Sequence, residues 1–169
     1  RVAVCEAAVA ELRQQAPSTD QRIGFVSLDV GDAEAVQAAS DAVLTGLGGL
    51  DLLVNIAGIS KPAYLHETPL EDFERILRVN YFGTVNVTMA FLPHFMAQQS
   101  GHIANVGSTL SFVGIFGYAA YVSSKFAVNG FSEAIRQDLV PHNVGVTILY
   151  PADTDTPQLH EENKIKPPE

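Results

Sequence analysis

Apolar residues in this chain alternate between long helical stripes and short continuous blocks. Val4 to Gln15 is alanine-rich and predicts a helix, ended by Ala16-Pro17-Ser18-Thr19-Asp20. Arg22 to Val30 carries Ile-Gly-Phe-Val-Ser-Leu and predicts a strand. Asp32 is placed to cap a helix over 33–47, with Gly48-Gly49 as its stop. Leu50 to Ile56 is a short apolar run of the kind buried on both faces of a sheet. Thr68-Pro69 opens a long helical stretch to about Gln98, with Phe73, Ile76, Leu77, Val79, Phe82, Val85 and Met89 as its apolar positions. Gly101 to Gly107 reads as a strand, Tyr118 to Val140 as a helix stopped by Pro141-His142-Asn143, and Val144 to Tyr150 as a strand. Strand and helix in strict alternation predict one α/β domain over 1–169, a doubly wound parallel sheet with helices on both faces. The charged, proline-bearing stretch 157–169 reads as a loop, placed to act as a substrate lid.

Composition narrows this little. An apolar share of 47% in 169 residues supports a sizeable core. The formal net charge of -9 argues against nucleic acid as a partner. Cys5 is the single cysteine, and the five histidines show no metal-ligand spacing, so no metal is expected. No apolar run reaches the roughly 18 residues that cross a bilayer. The chain opens on Arg1 and is expected to be truncated at both ends.

The informative chemistry lies between 105 and 125. Tyr121 and Lys125 stand one helical turn apart, and Ser108 precedes the tyrosine by thirteen residues. A cation beside a phenol favours the phenolate, so Lys125 is expected to lower the Tyr121 pKa toward neutrality. Such a tyrosine exchanges protons with a carbonyl oxygen, and a serine hydroxyl can bind that oxygen. By itself a Tyr-x-x-x-Lys pair is common on helix surfaces. Its weight comes from the other strand ends, where parallel sheets bind ligands. Those ends carry Asp29-Val30, Asn55-Ile56-Ala57-Gly58, Ser108 and Pro151-Ala152-Asp153-Thr154. Each has an ordinary reading too: Asp29 as a helix cap, Asn55 and Gly58 as a turn.

Taken together, Asp29-Val30, the turn at 55–58, Asn80, Ser108, Tyr121-x-x-x-Lys125 and the Pro-x-x-Thr stretch from 151 resemble the short-chain dehydrogenase/reductase family over nearly the whole chain. Within it, Gly114 to Tyr121, Tyr150 to Pro157 and Glu161 to Pro168 are similar to the 3-ketodihydrosphingosine reductase subfamily. The resemblance implies a Rossmann-like sheet whose first two strands and C-terminal part lie outside this chain. It implies a catalytic set of Asn80, Ser108, Tyr121 and Lys125, with Asn80 holding a water in a proton relay. It implies an NADPH site at Asp29, Val30, Asn55, Ala57, Gly58, Tyr121, Lys125, Pro151, Thr154 and Thr156, with Arg1 toward the 2′-phosphate. Two departures stand out: the family's glycine-rich loop is absent, and Ala152 stands where many members carry glycine.

The implied substrate is a long-chain keto lipid, reduced at the cytoplasmic face of the endoplasmic reticulum, with membrane association through parts outside this chain. Phe112, Val113, Ile115 and Phe116 either meet the lipid tail or pack in the core. A homo-oligomer, dimer or tetramer, is expected through the helices at 69–98 and 118–140, on Phe91, Leu92, Phe95, Met96, Phe126, Val128 and Phe131. The alternatives are a short-chain reductase for a steroid, retinoid or fatty-acyl ketone, and a catalytically silent nucleotide-binding fragment.

Overall fold

A computed structural model describes residues 2–18 and 20–168. Arg1, assigned above to the 2′-phosphate, lies outside the described residues. The elements run α1 (Val2–Gln15), α2 (Ala33–Leu47), β1 (Leu52–Asn55), α3 (Leu70–Leu77), α4 (Gly83–Gln98), β2 (Gly101–Val106), α5 (Ala119–Leu139), β3 (Val144–Leu149) and α6 (Pro157–Ile165). The three strands form one parallel sheet in the order β1-β2-β3. Leu53 pairs with Ile103, and Ile103 with Val146, so these three side chains share a face. That face packs with Phe91, Phe95 and Leu139, backed by Val43 and Leu44, so α2, α4 and α5 cover it together.

Caps behave as the residue types dictate. Asp32 accepts from the Ala35 amide, and Gly48 at φ 80° donates to the Leu44 carbonyl. Asp29 is therefore not the helix cap. Its carboxylate instead accepts from the Gly31 amide at 2.8 Å and shapes the turn that precedes α2.

Four expectations give way. The strand expected over 22–30 does not form. Phe25 and Val26 remain exposed, and Arg13 and Arg22 side chains tie the segment to α1 and α2 through Ile23 O and Gly46. A strand needs a neighbour for its backbone groups, and among the described residues none lies beside this one. For the same reason β1 is buried on one face only: Leu52 and Val54 are 55% and 41% exposed. The long helix at 69–98 is interrupted by a π-helical turn over Arg78–Phe82, in which the Gly83 amide reaches back to Arg78 O. Such turns recur at functional sites. Finally, Phe91, Phe95 and Val128 are buried core residues, not members of an outward patch. The large apolar side chains these stretches do expose are Leu70, Phe82, Met89, Met96, Phe126 and Val140.

Within the stretch expected to be a loop, Pro157–Ile165 forms helix α6. Thr156 caps α6 by accepting from the Leu159 amide, and Pro157 occupies the first turn, where its missing N–H costs nothing. Beyond α6, buried Pro167 packs on Gly117, whose φ of 78° admits no side chain cheaply. The Tyr64 hydroxyl donates to Pro168 O at 3.1 Å. This segment folds back over the start of α5.

Candidate active site

Two buried strand-end amides set the floor. Asn55 and Asn105 face each other in register across β1 and β2, and Asn55 Nδ2 donates to Asn105 Oδ1 at 2.8 Å. The chain of bonds runs outward to Thr88 on α4 at 3.1 Å and to Ser132 on α5 at 2.8 Å. Asn55, expected along a cofactor, thus spends its side chain tying the sheet to α4. Asn105, Thr88 and Ser132 carried no sequence signal, because only the sheet register brings them together.

Past this floor β2 ends, and Ser108 opens a tight turn. Its Oγ accepts from the Leu110 amide at 3.1 Å, and its own amide donates to Ser111 Oγ at 3.1 Å. The Ser108 oxygen is thereby fixed while its proton remains available to a carbonyl. Tyr121, in the first turn of α5, lies beside it. Burial pushes the Tyr121 phenol above its usual value, the Ser108 hydroxyl pulls it back, and the charges of Glu162 and Asp153 raise it further. The expected lowering by Lys125 is not what this site shows. The Lys125 ammonium lies over the Tyr121 ring, 5.6 Å from its centre, and donates to Val106 O at 2.8 Å. Burial also pulls Lys125 down, to about 8.

Asn80 sits in the π-turn, 1% exposed. Its Oδ1 accepts from the Ile59 amide at 2.8 Å, and its Nδ2 donates to Ile59 O at 3.0 Å and to Ser124 Oγ at 2.9 Å. All its side-chain amide groups are engaged, and its backbone carbonyl accepts from Thr84 Oγ1 at 2.9 Å. The side chain clamps the loop after β1 onto α5 and so sets Gly58 before Lys125. A Cβ at Gly58 would stand 3.8 Å from Lys125 Nζ and 3.5 Å from Asn80 Oδ1.

These groups open onto a cleft of about 250 Å³ beyond the carboxyl ends of the strands. Of the residues assigned above to a cofactor, Gly58, Tyr121, Lys125, Pro151, Thr154 and Thr156 line it. Asp29, Val30, Asn55 and Ala57 do not. Val30 lies against the first residue of α4, where a Cβ on Gly83 would come within 2.6 Å of it, and its carbonyl accepts from Asn86. Tyr118 and Glu162, which sequence reasoning passed over, also line the cleft and bond to each other at 3.2 Å. Tyr118 stands three residues before Tyr121, a spacing that shares a helix face. Nothing local marked Glu162.

The short chain dehydrogenase family model matches residues 1–166. The chain belongs to the short-chain dehydrogenase family. It is 38% identical over 158 residues to a 3-dehydrosphinganine reductase of Danio rerio, covering 93% of this chain and 48% of that protein. It is 37% identical, with the same coverage, to a 3-ketodihydrosphingosine reductase of Mus musculus. The chain spans about half the length of the curated relatives it matches. An NAD+-bound xylitol dehydrogenase superposes on 96% of this chain, and this chain on 62% of it, at a TM-score of 0.89 and 29% identity. These likenesses bear out the Rossmann-like parallel fold and the subfamily resemblance, and they support a nicotinamide cofactor.

The residues present fit such a cofactor. Lys125 gives one of its three donors to Val106 O. The others have no acceptor among the described residues, and the absent side chain at Gly58 leaves the approach to them open to a cofactor hydroxyl.

Proposed function

We propose that the protein carrying this chain reduces the ketone of a long-chain amino ketone, converting 3-ketodihydrosphingosine to dihydrosphingosine with NADPH. The observation that carries this reading is the convergence of Ser108, Tyr121 and Lys125 on one cleft at the strand ends, with Asn80 buried behind Gly58.

NADPH supplies hydride to the carbonyl carbon. Ser108 donates its hydroxyl proton as a hydrogen bond to the ketone oxygen and holds the carbonyl against Tyr121. As the C–O π bond breaks, the electron pair moves onto that oxygen, and Tyr121 delivers the proton that completes the alcohol. Lys125 stabilises the phenolate left behind and holds the ribose hydroxyls of the cofactor. Asn80 keeps the loop after β1 in place, so that Gly58 and Lys125 keep their spacing. Thr154 and Thr156, from the cleft wall, serve the carboxamide and diphosphate. Asp29 and Val30 serve the adenine from outside the cleft.

The aliphatic tail has a path. Phe112, Val113 and Phe116 are exposed rather than core, and Ile115, also exposed, lines the cleft. Phe112 packs on Tyr150 with ring centres 4.4 Å apart, and Phe116 on Tyr64 at 5.4 Å. An apolar strip of this kind beside a polar cleft suits an amphiphile. Among the described residues no helix is long and apolar enough to cross a membrane. Residence on the cytoplasmic face of the endoplasmic reticulum and assembly into a homo-oligomer through helices 69–98 and 118–140 complete the proposal. Phe82, Met89, Met96 and Phe126 supply the exposed apolar contacts for the latter.

The test is turnover of 3-ketodihydrosphingosine by the full-length protein, with NADPH and NADH compared. Reduction preferring NADPH supports the reading. Turnover only of a steroid, retinoid or fatty-acyl ketone replaces the substrate, and binding of NADPH without reduction of any ketone leaves a silent nucleotide-binding domain.

A further inference from the structure

We propose that Glu162 recognises the ammonium group of the amino ketone, so that α6 reads the substituent next to the carbonyl held by Ser108 and Tyr121. This rests on the reductase reading above and specifies its substrate class: a ketone bearing a cationic amine on the neighbouring carbon.

Glu162 is half-buried and lines the same cleft as Ser108, Tyr121 and Lys125. Its two oxygens accept from the Tyr118 hydroxyl at 3.2 Å and from Gln158 Nε2 at 2.7 Å. Those neutral donors orient the carboxylate and leave its charge uncompensated. Among the described residues Glu162 takes part in no ion pair, whereas Glu161 beside it pairs with Lys164 on the outer side of α6. Lys166 is near, but its ammonium lies 5.9 Å from the centre of the Tyr118 ring and forms no bond to the carboxylate. A carboxylate oxygen holds more lone pairs than these two donors use.

Position makes the group selective. Tyr118 meets Tyr121 edge-on, with ring centres 6.3 Å apart, so the carboxylate stands one aromatic ring from the reacting phenol. Asp153, from the loop between β3 and α6, adds a second negative charge to the cleft wall. Both charges make the phenolate harder to form, and the cleft's own cations, Lys125 on Val106 O and Lys166 over the Tyr118 ring, form no ion pair with either carboxylate among the described residues. A substrate ammonium seated against Glu162 offsets that field at the moment the phenolate develops. A neutral ketone gains nothing there and covers a carboxylate that has lost water. An anionic ketone is repelled.

The experiment compares two ketones of equal chain length in the full-length protein with NADPH, one with an amine beside the carbonyl and one with hydrogen in its place. Wild type is expected to favour the amino ketone. Glu162→Gln keeps an acceptor for Tyr118 but loses the charge. It is expected to lower kcat/KM for the amino ketone roughly 10- to 100-fold more than for its deaminated counterpart, as for loss of a charge-assisted hydrogen bond. Tyr118→Phe removes one orienting bond but keeps the charge, so it should lower the amine preference less than Glu162→Gln does. Equal losses on both ketones in Glu162→Gln, a larger loss of preference in Tyr118→Phe than in Glu162→Gln, or a wild type indifferent to the amine each overturn the inference while leaving ketone reduction standing. A wild type that reduces neither ketone removes the reductase reading and this inference with it.

Discussion

Beneath the cleft, Thr88, Asn55, Asn105 and Ser132 are bonded in a row at 0–9% exposure. On its opposite wall, α6 is held by Tyr118–Glu162, Tyr64–Pro168 and the seat of Pro167 on Gly117, and none of its own residues is fully buried. Buried amide bonds in a low-dielectric core are costly to break, since each lost partner strands another. Contacts at a wet surface are cheap to break and re-form. The candidate catalytic groups grow from the first kind of region: Ser108 follows β2, and Lys125 donates to the last residue of β2. The groups proposed to discriminate substrates grow from the second. On that proposal, fixed chemistry and adjustable recognition are carried by separate parts of one cleft.

The largest effect is expected on the fixed side. Tyr121→Phe removes the proton donor and leaves the ring in place, so reduction should fall by about 10³-fold or more with NADPH affinity nearly unchanged. Single-turnover rates and a binding titration on the full-length protein check both halves. A mutant retaining more than a few per cent of turnover places the proton donor elsewhere.

Next, Asn105→Ala strands Asn55 and Ser132 together. It should cost about 2–4 kcal/mol of stability, read as a lower urea midpoint at unchanged slope. A loss below about 1 kcal/mol would erase the energetic contrast between floor and wall.

A third test uses pH. Lys125, drawn down to about 8 by burial, holds its proton below that value and gives it up as pH rises through it. On the proposed reading it is the ammonium that binds the ribose. NADPH affinity should therefore weaken above pH 8, approaching about tenfold per pH unit. In Lys125→Met the affinity should be lower throughout and flat across that range. An equally steep decline in the mutant assigns the titration to another group.

The smallest effect is expected on the wall. Thr156→Ala deletes the cap of α6 at about 1 kcal/mol. With NADPH saturating, so that the cofactor contact proposed for Thr156 does not limit, it should raise KM for a long-chain ketone a few-fold with little change in kcat. A matching fall in kcat would show that α6 belongs to the catalytic machinery.

The chain by itself determined the helices and their stops, because capping and periodicity are local: Asp32 and Gly48 bracket α2 as their chemistry requires. It also displayed Ser108, Tyr121 and Lys125, since two of the three lie one helical turn apart. The helical state of 157–165 was legible too, in Thr156-Pro157 followed by good helix formers, although proline and charge favoured a loop. Tertiary structure decided what depends on neighbours. The apolar segment 22–30 stayed unpaired because a strand's backbone bonds belong to its partners. Phe91, Phe95 and Val128 went inward because helix packing, not apolar content, chooses the buried stripe. The direction of the Tyr121 shift followed burial and the distant Glu162 and Asp153, none of which is adjacent in sequence. Local pattern encodes elements and the spacing within them; burial, register and the field at a reacting atom arise only when distant segments meet.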